Sequence, residues 1–351
     1  MRFTPTPDRE VAERAGVSLD AVQLVRSAEV VDLHLESYIP PRLWGYRLEE
    51  RHDGHWLRGH LFGHLDFPRA LDGGLTGGMW SIATNILRGP SGRWRALVEN
   101  VAGLRSAIEA TDGAMEVVRS ASEYRAARAR GAHAAMICVQ GGNAYDRGDV
   151  GGLEDVVRVT VVHLSSSVFG ATSSPLRGPR DRGLSERGRA HVEALDHHRI
   201  FVDLAHVSPS GFWHAVAAHD RSLPLIDTHT GVCGVRDHWR NLDDDQIRAI
   251  ADTGGVVGII FATNFLAARG LPRDASLVIA HLEHLIDVGG EGAAALGSDY
   301  DGFIVPPADL RDGFTAYFRI AQAMLDRGWS EARARRVLGE NFLDAFARLR
   351  P

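Results

Sequence analysis

The feature of this sequence that most restricts its fold is a set of eight short apolar runs, separated by stretches with helical periodicity. Strands of a parallel sheet are buried on both faces, so they read as continuous apolar runs rather than alternating ones. Eight such strands alternating with helices indicate closure into an α/β fold, the (β/α)8 TIM barrel. The predicted strands are residues 28–33, 78–83, 134–139, 157–162, 200–204, 223–226, 256–261 and 293–296.

The segments between these runs carry helix-start signals. Ser185, Ser208 and Asp243 each stand directly before a helical pattern, where their side chains can cap the first turn. A closing helix is predicted over residues 331–349. An open doubly wound sheet is the main structural alternative. No G-x-G-x-x-G turn follows the first strand, which argues against a dinucleotide site.

The division of the chain follows from these elements. We expect one domain over residues 1–351, with a helical N-terminal extension at 1–27. A long insertion, residues 37–77, separates strands 1 and 2 and is rich in His, Trp and Gly. We expect it to lie like a lid over the mouth of the barrel.

Composition excludes several classes of partner. The net charge of -6 leaves no basic surplus to neutralise phosphates, which argues against a nucleic-acid partner. No apolar run approaches the roughly 20 residues that a bilayer-spanning helix needs. The first residues lack the apolar core of a signal peptide. We therefore expect a cytoplasmic protein without a membrane partner.

Chemically versatile side chains stand at the ends of the predicted strands. In a barrel, the C-terminal ends of the strands meet on one face, and catalytic groups come from several of them. The chain holds 17 histidines, and several of them occupy such positions. The candidate site residues at strand ends are His34, Glu36, Gln140, His163, His206, His229 and Asp299.

These residue types indicate a metal site. His34 and Glu36 are two positions apart on a strand, so their side chains point to the same side and can hold one ion. His206 and His229 add imidazoles, and zinc prefers imidazole and carboxylate ligands. Asp299 would act as a base on a water bound to the metal.

Other interpretations of the same residues stay open. A histidine at one strand end is more often a hydrogen-bonded core residue than a ligand. Asp299 could be structural, with Asp301 capping a turn. The pair His64-x-Asp66 is a competing metal motif, but it lies before the second strand, in a loop marked by a following proline.

The order of motifs resembles one family across nearly the whole chain, the membrane (renal) dipeptidases, peptidase family M19, which are amidohydrolase-type metallohydrolases. The segments that carry the resemblance are VVDLHLE, HLDFPRALDGGLTGGMWSI, TVVHL, GLSERGRAHVEAL, FVDLAHVS, IDTHTGV, DHWRNLDDDQIRAIADTGGVVGIIF, GSDYDG and GENFLDAF. It implies a two-zinc enzyme that hydrolyses dipeptides, including some with a D-residue at the second position. By the same resemblance, His34 and the acid at position 36 hold one zinc, and His206 and His229 hold the other.

The resemblance also implies roles for three further residues. His163 would polarise the scissile carbonyl or stabilise its oxyanion. Arg240 would bind the terminal carboxylate of the substrate, which suits the planar fork of a guanidinium. Asp299 would take a proton from the attacking water and pass it to the leaving amine.

Two positions depart from the family pattern. Glu36 stands where the family has Asp, and the longer carboxylate can still reach an ion. Gln140 stands where the family has a glutamate that bridges both metals, and a neutral amide oxygen is a weaker ligand. Unless another carboxylate compensates, Asp146 and Glu154 being the nearby candidates, the two-zinc site is weakened.

Three outcomes follow from Gln140. Both ions bind and the protein is a dipeptidase; or one ion remains in a diverged mononuclear amidohydrolase acting on another amide or lactam; or the chain is a non-catalytic ligand-binding homologue. We expect a metallodipeptidase that uses one or two zinc ions and takes a dipeptide-like small molecule. Other divalent transition metals suit the same ligands. A homodimer is a further expectation from the resemblance.

Overall fold

The computed structural model describes residues 4–52, 60–83, 87–174 and 182–351. Nine parallel strands form its central sheet. They are β1 (Val31–Leu35), β2 (Gly77–Ala83), β3 (Met115–Val117), β4 (His133–Gln140), β5 (Val156–Thr160), β6 (Phe201–Asp203), β7 (Ile226–Thr230), β8 (Val256–Ile259) and β9 (Ala294–Leu296).

Eight of these strands close into a barrel. Strand β1 pairs with both β2 and β9, and β2 pairs with β4 along its whole length, from Gly77 opposite Ala134 to Ala83 opposite Gln140. The predicted (β/α)8 TIM barrel is therefore confirmed. The ninth strand, β3, pairs with the first residues of β4 and was not predicted, because its three residues form no apolar run.

Two strands lie further along the chain than predicted. Strand β1 begins at Val31, not at residue 28, and β7 begins at Ile226, not at residue 223. The apolar residues that the prediction included at the start of these strands are buried, but they lie in the segments that lead into the strands. The hydrogen-bonded ladders instead continue into polar sequence, so His34 and His229 lie within strands rather than after them.

Helices surround the barrel, and side chains cap many of their first turns. Ser185, Ser208 and Asp243 cap the helices that the sequence predicts after them, each by accepting a backbone N–H. The predicted closing helix is confirmed as two α-helical segments joined by a π-helical turn, Arg336–Glu340. The α-helices of the described residues are Asp8–Ala15, Leu19–Ser27, Ile39–Trp44, Phe67–Asp72, Pro90–Glu109, Ala121–Ala129, Glu186–His197, Pro209–Ala218, Asp244–Ala251, Thr263–Leu266, Ser276–Gly289, Gly313–Asp326, Glu331–Arg335 and Asn341–Leu349.

The insertion after β1 is fastened to the loop that follows β9. The buried Asp301 carboxylate in that loop accepts backbone N–H groups from Gly63 (2.7 Å) and His64 (3.0 Å), and it also accepts the Ser37 hydroxyl. Residues 53–59 of the insertion lie outside the described residues, so its role as a lid stays a prediction. No helix in the described parts of the chain combines the length and the apolar character that a membrane crossing requires.

Gly297, which follows β9, is needed for close strand packing under the site. A Cβ atom there would lie 1.7 Å from the Thr228 carbonyl oxygen, in the backbone that carries His229. We expect Gly297→Ala to lower the free energy of unfolding by about 3 kcal/mol, the upper part of the usual range for overpacking. Urea unfolding followed by circular dichroism measures the change.

The matched control for this prediction is Gly92→Ala, in the helix Pro90–Glu109. There the nearest atom to an added Cβ is 3.8 Å away, so the substitution makes only an ordinary van der Waals contact. Helix propensity predicts a gain of up to about 1 kcal/mol for it. Equal stability of the Gly297→Ala protein and the natural protein would contradict the packing explanation.

Candidate metal centre

The side chains predicted from the sequence meet at the C-terminal end of the barrel. His34 lies in β1, Gln140 ends β4 and His229 lies in β7. The others stand one to three residues beyond a strand or, for Arg240, in the loop after β7. The buried members are His34, Glu36, Gln140, His206, His229, Arg240 and Asp299, and His163 is half-buried at their edge.

Three histidines form the middle of the cluster. The rings of His34 and His229 stack with centroids 3.8 Å apart, and His206 Nε2 lies 2.8 Å from His229 Nε2. The ring of His163 stands edge-on to His206 at 4.7 Å. Imidazole nitrogens that converge in this way are arranged as they would be around a shared cation.

Carboxylates complete the cluster on the side of β1 and β9. His34 Nε2 lies 3.4 Å from Glu36 Oε1 and 3.6 Å from Asp299 Oδ1. One ligand atom from each of His34, His229 and Asp299 lies within 4.8 Å of the other two. Among the described residues, His34 Nε2 and Glu36 Oε1 are buried without a hydrogen bond. The unpartnered Glu36 oxygen fits a divalent cation, because a buried polar atom otherwise requires a partner, and His34 Nε2 fits one when its ring carries the proton on Nδ1.

The backbone at two of these residues is unusual. His206 has φ of 66° and Asp299 has φ of 62°, in the left-handed region that non-glycine residues rarely adopt. Such conformations are concentrated at functional sites, where the surrounding structure holds them. The barrel therefore fixes the direction of both side chains.

Burial keeps the cluster close to neutral when no cation is present. It raises the pKa of Glu36 to about 8, and it raises the pKa of Asp299 well above its usual value, with the Glu36 charge raising it further. Burial also lowers the pKa of His163 to about 3, and the Arg240 charge adds to this effect. A bound cation would reverse the cost of ionising the two carboxylates.

The sequence analysis missed two charged residues beneath the histidines. Arg158 and Asp203 are fully buried and form an ion pair with 3.4 Å between Nη1 and Oδ2. The signal was present in the sequence, since each is a charged residue within an apolar run, VVRVT and FVDLA. Charged residues are almost never fully buried unless they are paired, so each of them needs a partner, although the sequence does not identify that partner.

The carboxylates considered as replacements for a bridging glutamate point elsewhere. Asp146 forms ion pairs with Arg187 (2.8 Å) and Arg93 (3.6 Å). The Glu154 side chain is 87% exposed. Neither supplies the negative charge that Gln140 lacks.

The competing pair His64 and Asp66 has structural partners. Asp66 caps the helix Phe67–Asp72 and pairs with Arg69 at 2.7 Å. His64 Nδ1 accepts the backbone N–H of Asp301. These contacts hold the insertion in place. The Asp66 carboxylate is already bound to the helix N-terminus and to Arg69.

Comparison with known proteins agrees with this geometry. Residues 19–349 match the sequence model of the membrane dipeptidases, peptidase family M19. The crystal structure of a metallo peptidase of that family, dipeptidase AC, is 28% identical with a TM-score of 0.80, over 92% of this chain and 98% of that one. A metallo peptidase from Rhodobacter sphaeroides, crystallised with a phosphinate mimic of the dipeptide L-Ala-D-Ala, is 26% identical with a TM-score of 0.77, over 92% and 99%.

Two further matches give more limited information. The probable dipeptidase PvdM from Pseudomonas aeruginosa has a TM-score of 0.81 at 16% identity, over 97% of this chain and 98% of that one, and shows a shared fold. An uncharacterised protein in the pqqA 5' region of Klebsiella pneumoniae is 33% identical over 174 residues, which span 48% of this chain and 61% of that protein's length. With the family match extending over residues 19–349, the chain belongs to the membrane dipeptidase family.

Proposed function

We propose that this protein is a metal-dependent dipeptidase that hydrolyses the peptide bond of a dipeptide with free termini. The observation that carries the proposal is the buried convergence of histidines and carboxylates with orphaned ligand atoms at the mouth of the barrel. Five residues offer ligands, and zinc suits their chemistry. They are His34, Glu36, His206, His229 and Asp299.

A divalent ion at these residues would supply Lewis-acid chemistry and lower the pKa of a water molecule. Asp299 lies at the edge of the cluster and would accept a proton from the attacking water and return it to the leaving amine. His163 borders the cluster beside His206 and would stabilise the oxygen of the scissile carbonyl.

Arg240 is the proposed binding group for the substrate carboxylate. Its guanidinium is buried, and its Nη2 donates to the His229 carbonyl oxygen at 2.5 Å. Among the described residues its Nε has no hydrogen-bond acceptor. A guanidinium anchored at one nitrogen and unsatisfied at another is ready to bind a carboxylate.

The test of this function uses the whole protein, stripped of metal with a chelator and then dialysed against zinc, manganese or cobalt. We expect hydrolysis of L-Ala-L-Ala or L-Ala-D-Ala by at least one metal-loaded form and none by the stripped protein. The matched control substrate is the same dipeptide acetylated at its amino terminus. Binding of dipeptides without turnover by every metal-loaded form would contradict the proposal. The cytoplasmic location and the homodimer stay predictions.

Replacing Arg240 by Ala is expected to lower kcat/KM about 10- to 150-fold, mainly through KM, because a hydrogen-bonded charge contributes about 1.5–3 kcal/mol. Steady-state kinetics with a free dipeptide measures the change. The control is the dipeptide amide, which lacks the carboxylate and should be affected little by Arg240→Ala. An equal loss with both substrates would assign Arg240 a structural role.

A further inference from the structure

Arg158 places a fixed positive charge directly beneath the metal centre. The side chain projects from β5 into the barrel and is fully buried. Besides its ion pair with Asp203, it reaches residues on three other strands. Its hydrogen-bond acceptors are Ser81 Oγ (2.5 Å), the Val139 carbonyl oxygen (3.1 Å), Gln140 Oε1 (3.5 Å), Thr160 Oγ1 (2.7 Å) and His34 Nδ1 (2.9 Å).

The contact with His34 determines which nitrogen of that ring carries the proton. A guanidinium only donates hydrogen bonds, so His34 Nδ1 must accept from Arg158 Nη2 at 2.9 Å. The neutral ring then carries its proton on Nε2, the nitrogen that faces Glu36 and Asp299. A metal ligand requires a lone pair at that nitrogen, so Arg158 opposes metal binding by His34.

His229 is held in the opposite tautomer. The Thr228 hydroxyl donates to Asp203 Oδ2 at 2.8 Å, so it accepts from His229 Nδ1, also at 2.8 Å. His229 Nε2 therefore presents its lone pair to His206 Nε2. His206 Nδ1 has no hydrogen-bond partner among the described residues, so this ring, unlike His34, can carry its proton on Nδ1 and leave Nε2 to an ion. A hydrogen bond at the distal nitrogen is the usual way in which proteins orient a metal-binding histidine.

The side-chain amide of Gln140 is oriented in agreement with these opposite tautomers of His34 and His229. Its carbonyl oxygen accepts from Thr160 (2.6 Å) and Arg158 (3.5 Å), beneath the centre. Its amide nitrogen faces His206 and His229, at 3.3 and 3.4 Å. The oxygen that would have to bridge two ions is thus engaged by an arginine and a threonine.

From these contacts we infer that the chain binds a single divalent ion, at His206 and His229, and that Arg158 supplies the positive charge that a second ion would supply on the His34 side. The inference rests on the proposed function only in placing a metal at this cluster.

The test is the metal content per chain, measured by elemental analysis after loading with excess zinc and removal of free metal. We expect one ion in the natural protein and one in Gln140→Glu, because Arg158 would pair with the new carboxylate. We expect two ions in the double variant Arg158→Met/Gln140→Glu. Two ions in the natural protein or in Gln140→Glu alone, or one ion in the folded double variant, would overturn the inference.

A second pair of variants applies even where the double variant does not fold. His34→Ala is expected to retain one zinc ion, and His229→Ala is expected to retain none. Loss of the ion from His34→Ala would overturn the inference, as would its retention by His229→Ala. Turnover of a dipeptide is measured separately. An active protein with two ions would disprove only the inference of a single ion. An inactive protein with one ion would disprove only the proposed function.

Discussion

Replacing Asp299 by Asn is expected to lower kcat about 100- to 10,000-fold, the usual range for removal of a general acid–base group, with a much smaller change in KM. The carboxylate stands 3.6 Å from His34 Nε2, at the edge of the cluster that would receive the substrate. An amide fills the same space but accepts no proton. Steady-state kinetics on a dipeptide, at saturating metal, measures the loss.

Two controls separate proton transfer from other effects of this substitution. Metal content is measured on the same sample, because loss of the ion would lower kcat without any role for Asp299 as a base. Asp309→Asn changes another carboxylate of the chain after β9, one that accepts the Ala275 backbone N–H, and it should leave kcat within about twofold. Retention of most of the activity by metal-loaded Asp299→Asn would remove Asp299 from the mechanism.

The barrel and its mouth could be predicted from the sequence because of two simple physical regularities. Strands that are buried on both faces must be apolar, which makes them visible as runs. Parallel strands in a barrel all end on one face, so the polar residues that follow them must converge. This is why His34, His206, His229 and Asp299 were grouped correctly although 265 positions separate the first from the last.

The pairing beneath the mouth could not be predicted in the same way. A charged residue inside an apolar run can face the barrel interior or the surrounding helices, and the choice depends on strand register. Thr160 lies opposite Asp203 and Arg158 lies opposite Phe201, so Arg158 starts two residues before the level of Asp203 on the same face of the sheet, but this register is a property of the folded sheet. From the sequence, Gln140 in place of a carboxylate therefore meant only the loss of a negative charge. The structure adds that the Arg158 guanidinium lies beside Gln140.

The role of Asp301 could not be predicted from the sequence either. In the sequence it reads as a turn residue in GSDYDG. The structure instead makes it the acceptor for backbone and hydroxyl groups of the insertion, some 240 residues earlier in the chain. Long-range contacts of this kind leave no local pattern, so the sequence could identify the insertion but not its anchor.

The stability of the barrel should depend strongly on Asp203. We expect Asp203→Asn to lower the free energy of unfolding by about 3–5 kcal/mol, because it leaves the buried Arg158 charge without its counter-ion. The carboxylate also accepts from the Thr228 hydroxyl (2.8 Å) and from the backbone N–H groups of Ala205 (3.1 Å) and Thr228 (3.0 Å). An amide oxygen can keep part of these hydrogen bonds but none of the charge. Guanidinium chloride unfolding of the metal-free proteins measures the loss.

A double-mutant cycle shows how much of this loss comes from the stranded charge. In an Arg158→Met background no buried cation remains, so Asp203→Asn should cost at least about 1 kcal/mol less than in the natural protein. The same cost in both backgrounds would mean that Asp203 acts through its hydrogen bonds and not through its charge. In that case Arg158 would be stabilised mainly by its neutral acceptors, His34 among them, and its hold on the His34 tautomer would be independent of the ion pair.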